Sequence, residues 1–137
     1  MDPITTALVA GAAVALKDVA SDAVKAAYHG LKDLIKNKIT SLTNLEDDPK
    51  DEDYRRATSK ELNKKGLDKD PAVLEKAKEL TSALEREPPE RVAPALASIG
   101  ITIQDIQTAG DLIIKNLKAG GRLEISGLQA GAAEKNG

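Results

Sequence analysis

The last third of the chain, residues 100–132, is an internal repeat, and a repeat limits the possible folds of a chain more than any other sequence feature. It divides into three consecutive units of eleven residues, and the second and third units share five of the eleven. When the units are aligned, aliphatic residues fall into three columns and small residues close each unit. The columns are Ile101, Leu112 and Leu123; Ile103, Ile114 and Ile125; and Ile106, Leu117 and Leu128.

Each unit has the pattern of a short strand followed by a turn. The alternation Leu/Ile-x-Ile places apolar side chains on one face of a strand. Gly110 and Gly121 close the first two units, where glycine lets the chain turn at low steric cost. One unit cannot bury its apolar side alone, but three can stack. Such a stack has unpaired strand edges, which can template a further copy of the same segment.

The rival interpretation of residues 100–132 is an amphipathic helix, because eleven residues are also three helical turns. Five glycines between positions 110 and 131, with β-branched residues at apolar positions, favour strands instead. We therefore predict that residues 99–137 form an eleven-residue-repeat, β-forming self-assembly tail. The predicted assembly residues are the column residues listed above together with Gly110 and Gly121.

Composition narrows the function classes. The 137 residues suffice for one small domain plus an appendage. The chain has no Cys, which fits a reducing cytoplasm, and no Phe or Trp, so its core must come from aliphatic residues. The net charge of −2 gives no basic footprint for nucleic acid. The start of the chain lacks the positive flank of a signal peptide, and we predict a cytoplasmic protein.

Residues 3–16 carry no charge and predict an apolar first helix, with Asp2 as its cap and Pro3 in its first turn. Its length of about 20 Å is short of the roughly 30 Å hydrocarbon thickness, so it cannot cross a bilayer alone as a conventional span. One interpretation is a central helix of a small bundle. The other is a conditional membrane element, and both hold if the helix can be released. The predicted membrane-active residues are Ile4, Leu8, Val9, Gly11, Val14 and Leu16.

Helical patterns continue through the rest of the first 98 residues. They predict helices over 18–42, 50–65 and 71–86, an acidic loop over 44–53, and a short helical segment over 90–98 that Pro94 interrupts. The predicted fold class is mainly α: a four- to five-helix bundle over 1–98, followed by a β-prone three-rung repeat tail over 99–137.

No pattern of catalytic, cofactor-binding or metal-binding residues is present. His29 is the only histidine, so a metal cluster has no imidazole partners. The acidic run 46–53 lacks the pattern of a Ca²⁺ loop. The glycines near the carboxyl end recur with the repeat, which a turn explains better than a nucleotide site. We predict that the protein is not an enzyme and uses no cofactor or metal.

Three segments, 1–13, 23–36 and 70–74, give the first 98 residues a resemblance to the prokaryotic Bell domain. That family is similar to the HeLo and HeLo-like domains that execute regulated cell death. The resemblance implies a short amyloid signalling motif after the bundle, matched by a motif on a nucleotide-binding, NLR-like receptor. Residues 100–132 lie where that motif belongs, but they form a three-unit repeat and match the RIP homotypic interaction motif only weakly, at 106–110. The motif class is left open.

Two functions follow as expectations. In the first, the resemblance implies a cell-death effector: a partner receptor templates the tail into an amyloid-type homo-oligomer or fibril. The first helix then permeabilises the membrane, to whose inner face the protein moves. In the second, the chain is a non-toxic assembly or adaptor module that polymerises or docks through the β-repeat and has no membrane role.

Overall fold

The computed structural model describes residues 1–17 and 20–129, and the side chains of all of these except 120–129. Within that part of the chain there are seven α-helices, one 3-10 turn at Leu67–Lys69 and no strand. The mainly α fold class is confirmed, while the boundary between residues 98 and 99 stays a prediction. The helices are α1 (Pro3–Ala15), α2 (Asp22–Ile35), α3 (Leu42–Asp47), α4 (Glu52–Lys64), α5 (Pro71–Arg86), α6 (Pro89–Ala97) and α7 (Ile103–Gln129).

Helix α1 is the centre of the bundle. Twelve of its thirteen residues are buried, and all six other helices pack against it. An element that is apolar on every side needs cover on every side, and the amphipathic helices around it provide that cover. The uncharged first helix therefore occupies the central position in this state of the protein.

Helix α5 follows its sequence signals closely. Its bounds, Pro71–Arg86, are those predicted, and the Asp70 carboxylate accepts hydrogen bonds from the backbone N–H groups of Ala72 and Val73. The stripe of Val73, Leu74, Ala77, Leu80 and Leu84 is buried. Since the Asp-Pro start and the Pro-Pro stop are both local, the sequence alone determines where this helix begins and ends.

The helix predicted over 18–42 and the acidic loop after it differ from the structure. Residues 18 and 19 lie outside the described residues; α2 runs from Asp22 to Ile35, and a separate helix, α3, occupies Leu42–Asp47. Helix α4 begins after Asp51 rather than after Asp47 or Asp48, and Gly66, with φ +70°, follows its end. Pro94 lies inside α6 without interrupting it.

The tail is helical in the described residues, where strands were predicted. Helix α7 runs from Ile103 to Gln129, and Ile106, Ala109 and Ile113 are buried at a spacing of three and four residues. That spacing is the period of a helix against a core. By contrast, Leu112 is 43% exposed and Ile114 is 37% exposed. Where the structure describes side chains, up to residue 119, the first two units therefore form a helix with one face on the core. The stacked three-unit tail stays a prediction.

Candidate functional site: the first helix and its cover

The predicted membrane-active residues lie almost entirely inside the bundle. Ile4, Leu8, Val9, Gly11 and Val14 are buried, and Leu16, just beyond the end of α1, is 46% exposed. Their apolar side chains face neighbouring helices in every direction. In this state the helix offers a membrane only its carboxyl end, so any larger apolar contact requires its release from the bundle. None of the described helices is both long enough and apolar enough to span a bilayer.

Gly11 marks the closest approach between α1 and its neighbours. A Cβ atom at this position would lie 2.6 Å from Tyr28 Cδ1 and 2.9 Å from Leu80 Cδ2. Both distances are shorter than a normal van der Waals contact. The missing side chain lets α2 and α5 pack directly on the backbone of α1.

Asp2 fastens the amino end of α1. Its Oδ1 accepts a hydrogen bond from the Thr5 backbone N–H at 2.9 Å, and its Oδ2 accepts one from Thr5 Oγ1 at 2.6 Å. Ser59 Oγ of α4 also donates to Oδ2. The first two bonds cap the helix, and the third ties its start to another element. Withdrawal of α1 from the bundle must break the contact with Ser59.

A polar link lies beneath α1 on the α2 side. Tyr28 is fully buried, and its hydroxyl donates to Glu46 Oε2 at 2.6 Å. Lys32 Nζ lies 3.0 Å from the same oxygen. Burial, together with the neighbouring Glu46 carboxylate, raises the pKa of Tyr28, so the phenol keeps its proton and remains a donor. This link joins α2 to α3 and was not predicted from the sequence.

Glu61 of α4 caps the start of α3 from a distance. Its carboxylate accepts hydrogen bonds from the backbone N–H groups of Thr40 and Ser41 at 2.9–3.1 Å, and from Thr40 Oγ1 at 3.0 Å. Burial by itself raises the pKa of Glu61, but the hydrogen bonds from Ser41 and Thr40 outweigh it and lower the pKa to about 2. The charged form of Glu61 is therefore the one that the fold stabilises.

The first half of α7 covers α1 and α5. Ile106 and Ile113 are buried in the same core as α1, and a Cβ at Gly110 would lie 3.2 Å from Thr81 Oγ1 of α5. The predicted assembly residues are thus divided between environments: Ile101, Ile106 and Gly110 are buried, Ile103 and Leu117 are partly buried, and Leu112 and Ile114 face solvent. The side chains of the remaining ones, Gly121, Leu123, Ile125 and Leu128, lie outside the described residues.

Polar side chains in the described part of the chain mainly cap helices and cross-link them. No group of three His, Asp or Glu residues there could hold a metal ion, and His29 is exposed on α2. The predictions that the protein is not an enzyme and needs no cofactor stay predictions. What the described arrangement offers is a sequestered apolar helix with breakable polar contacts around it.

The fold and this arrangement define a class: helical bundles that enclose an uncharged amino-terminal helix. The family model of the Het-E N-terminal domain matches residues 1–132, so the chain belongs to the Het-E N-terminal domain family. Membership of this HeLo-related family supports the interpretation of the chain as a HeLo-like cell-death domain, which the resemblance implied. The match spans both the bundle and the repeat. No curated protein matches the chain, and no solved structure matches it.

Proposed function

We propose that the protein is a cell-death effector that permeabilises membranes through α1 after a partner templates its carboxyl-terminal repeat into an amyloid-type assembly. One observation carries the proposal: a segment that covers α1 in the described structure also carries the repeat. Helix α7 packs on α1, and the eleven-residue units occupy the same residues. A change in the tail therefore acts directly on the exposure of α1.

The helical and the stacked forms of the tail exclude each other. Ile106 lies in the bundle core when α7 is helical, and the same residue belongs to the third column of a stack. One copy of the chain cannot place Ile106 in both. An activated template that binds only the stacked form shifts the equilibrium away from the docked helix by its difference in affinity for the two forms. We propose that an NLR-like receptor with a matching motif supplies this template.

Assembly of several copies overcomes the short length of α1. A thirteen-residue helix is about 20 Å long, whereas the hydrocarbon core is roughly 30 Å thick. Each copy still contributes apolar area at about 25 cal/mol per Å², and clustering adds these contributions in one patch of membrane. In this proposal the protein is cytoplasmic at rest and moves to the inner face of the cell membrane on activation.

Two neighbouring residues test the role of the repeat, since they exchange environments between the two forms. Ile113 is fully buried in the bundle and lies outside the columns, whereas Ile114 is 37% exposed and lies in the second column. Ile114→Asp should leave the bundle folded and abolish assembly, measured by sedimentation and thioflavin binding. Ile113→Asp should destabilise the bundle but spare assembly of a 100–137 peptide. If the Ile114→Asp peptide assembles as readily as the unmodified one, the columns are not the assembly contact.

Dye leakage from liposomes containing phosphatidylglycerol tests the membrane step. Assembled protein should cause leakage. Leu8→Asp or Val9→Asp protein should cause none, because each substitution places a charge on the apolar helix. Both positions are buried, so a matched control is needed. Leu96→Asp adds the same charge at a fully buried position of α6; assembled Leu96→Asp protein should still cause leakage. Equal leakage by all variants would exclude α1 as the membrane element.

The second candidate is an adaptor module that assembles through the repeat without acting on membranes. Loss of assembly in Ile114→Asp with Ile125→Asp is expected under both candidates. Artificial clustering of residues 1–98 separates them, because only the effector becomes toxic to cells when clustered. The absence of charge from residues 3–16 does not separate the two candidates, because a helix buried on every side requires it as well.

A further inference from the structure

The joint between α6 and α7 is built from short-range contacts. Gly100 has φ +75°; its N–H donates to the Ala97 carbonyl at 3.0 Å, and the Ile101 N–H donates to the Leu96 carbonyl at 3.0 Å. These two bonds form a Schellman motif, in which a left-handed residue closes a helix. Ile101 is buried beside it, as the apolar contact of that motif requires.

The start of α7 is likewise fixed by its own neighbours. The Thr102 N–H donates to Asp105 Oδ2 at 2.9 Å, and the Asp105 N–H donates to Thr102 Oγ1 at 3.0 Å. This reciprocal pair is a capping box. Both sets of hydrogen bonds are local to the joint. Its connection to the rest of the bundle is made by the buried side chains of Ile99 and Ile101 and by a long-range hydrogen bond.

Arg55 of α4 donates that hydrogen bond. Its Nη2 donates to the Ile99 carbonyl oxygen at 2.6 Å, and its Nε donates to the Pro49 carbonyl oxygen at 2.7 Å. The first of these bonds joins residues 44 positions apart in the chain. The guanidinium thereby satisfies the carbonyl at the end of α6, immediately before Gly100, while its other bond holds it to the loop that precedes α4.

Solvent can reach this contact. A cleft of about 300 Å³ beside the joint is lined by Arg55, by Gly100 and Ile101 of the joint, and by residues of α7 that include Asp105 and Thr108. Water in this cleft can therefore compete for the hydrogen bond from Arg55 to Ile99. A contact with this property controls a local opening rather than global unfolding.

We propose that Arg55 is the positioning residue that fastens the root of α7 to the bundle and so sets how readily the tail can leave α1. The rigid fork of the guanidinium matches two carbonyl oxygens in different segments, whereas a lysine ammonium is a point charge on a flexible stem. The consequence for membrane activity rests on the proposed function; the fastening of α7 does not.

Hydrogen exchange of the full-length protein tests the fastening. Arg55→Lys keeps the positive charge and removes the planar guanidinium. Hydrogen exchange of the α7 amides between 103 and 113 should then rise about tenfold, which corresponds to the loss of a hydrogen bond from a charged donor. Exchange in α2 and α5 should not change. The matched control is Arg56→Lys, because Arg56 is the exposed neighbour that pairs with Asp53 within α4.

A second pair of variants perturbs the joint without touching the arginine. Gly100→Ala strains a residue at φ +75°, and Gly66→Ala strains one at φ +70° at the end of α4; a Cβ meets no atom within 4 Å at either position. Gly100→Ala should raise α7 exchange as Arg55→Lys does, and Gly66→Ala should not. Unchanged α7 exchange in Arg55→Lys, or an equal rise in α2, α5 and α7, would overturn the proposal.

The same variants separate this inference from the proposed function. If Arg55 fastens the tail, Arg55→Lys protein should assemble at a lower template concentration than Arg56→Lys protein. Selective opening of α7 without any assembly or leakage would leave the fastening intact and contradict the effector function. If the protein assembles and causes leakage but Arg55→Lys changes neither the exchange nor the template concentration, the effector function stands and the fastening role of Arg55 is contradicted.

Discussion

The two glycines in the middle of α1 and α2 should respond in opposite directions to the same substitution. Gly11→Ala places a methyl group 2.6 Å from Tyr28 Cδ1 and 2.9 Å from Leu80 Cδ2, inside the packed core. Gly30→Ala places it 3.4 Å from Lys76 Cδ, and the nearest atoms all belong to this one flexible side chain. The chemistry of the change is identical, so the difference isolates packing around α1.

The magnitudes follow from two opposing effects. Replacement of glycine by alanine inside a helix stabilises by about 0.5–1 kcal/mol. Overpacking a core costs about 1–3 kcal/mol, and the ring and methyl that Gly11→Ala would meet are both held in place by neighbours. We expect a net loss of about 1–2 kcal/mol for Gly11→Ala and a net gain of about 0.5–1 kcal/mol for Gly30→Ala, because the lysine stem can move aside.

Thermal and urea unfolding, followed by circular dichroism, measure both variants. One kcal/mol corresponds to about 3–5 °C in Tm for a chain of this size, so the two midpoints should lie on opposite sides of the parent protein. A stabilised Gly11→Ala variant would refute the close packing of α1 on α2 and α5. A destabilised Gly30→Ala variant would show that the α2–α5 contact is tighter than the structure has it.

Two further changes test the polar contacts around α1. Tyr28→Phe should lower the free energy of unfolding by about 1.5–3 kcal/mol, since it removes a hydrogen bond to a carboxylate and leaves Glu46 with Lys32 alone; Tyr54→Phe is the control, and equal losses would contradict the buried link. Glu61→Gln should cost about 1 kcal/mol at neutral pH, as the loss of a helix cap does, with the exposed Glu79→Gln as its control. Because the folded-state pKa of Glu61 is about 2, below the ordinary value of 4.5, its contribution is complete above pH 4.5 and disappears as the pH falls toward 2. In urea titrations across that range, the free energy of unfolding of Glu61→Gln should therefore fall less on acidification than that of the parent protein. Equal falls would contradict the role of the Glu61 carboxylate.

The sequence determined the parts of the fold whose signals are local. Helix α5 was predicted correctly because Asp70, Pro71 and the Pro-Pro stop all lie within one turn of its ends. Helix α3 was missed because the side chain of Ser41 does not cap it. The backbone N–H groups of Ser41 and of Thr40 before it donate instead to Glu61, which lies twenty positions after Ser41 in the chain. No window around residues 42–47 contains that information.

The conformation of the tail also could not be determined from local sequence. A period of eleven residues fits one strand with its turn or three helical turns. Glycines and β-branched residues favoured the strand, but the outcome depends on what covers the apolar face. In the described structure the bundle covers Ile106 and Ile113, and the segment is helical. The candidate site follows this division: the absence of charge from α1 was visible in the sequence, whereas the cover by α7, the anchor at Ser59 and the polar link at Tyr28 require the tertiary fold.

The environment of α1 during activation is the most direct test of the proposed function. The chain has no Cys, so Leu16→Cys gives a single labelling position at the exposed end of α1, and Ala57→Cys gives a matched exposed position on α4. Each variant carries a solvent-sensitive dye and is mixed with assembled 100–137 peptide and liposomes containing phosphatidylglycerol. Release of α1 into the membrane predicts a blue shift at position 16, only when peptide and liposomes are both present, and no shift at position 57. Leakage of the liposomes while the dye at position 16 still reports water would contradict the central claim.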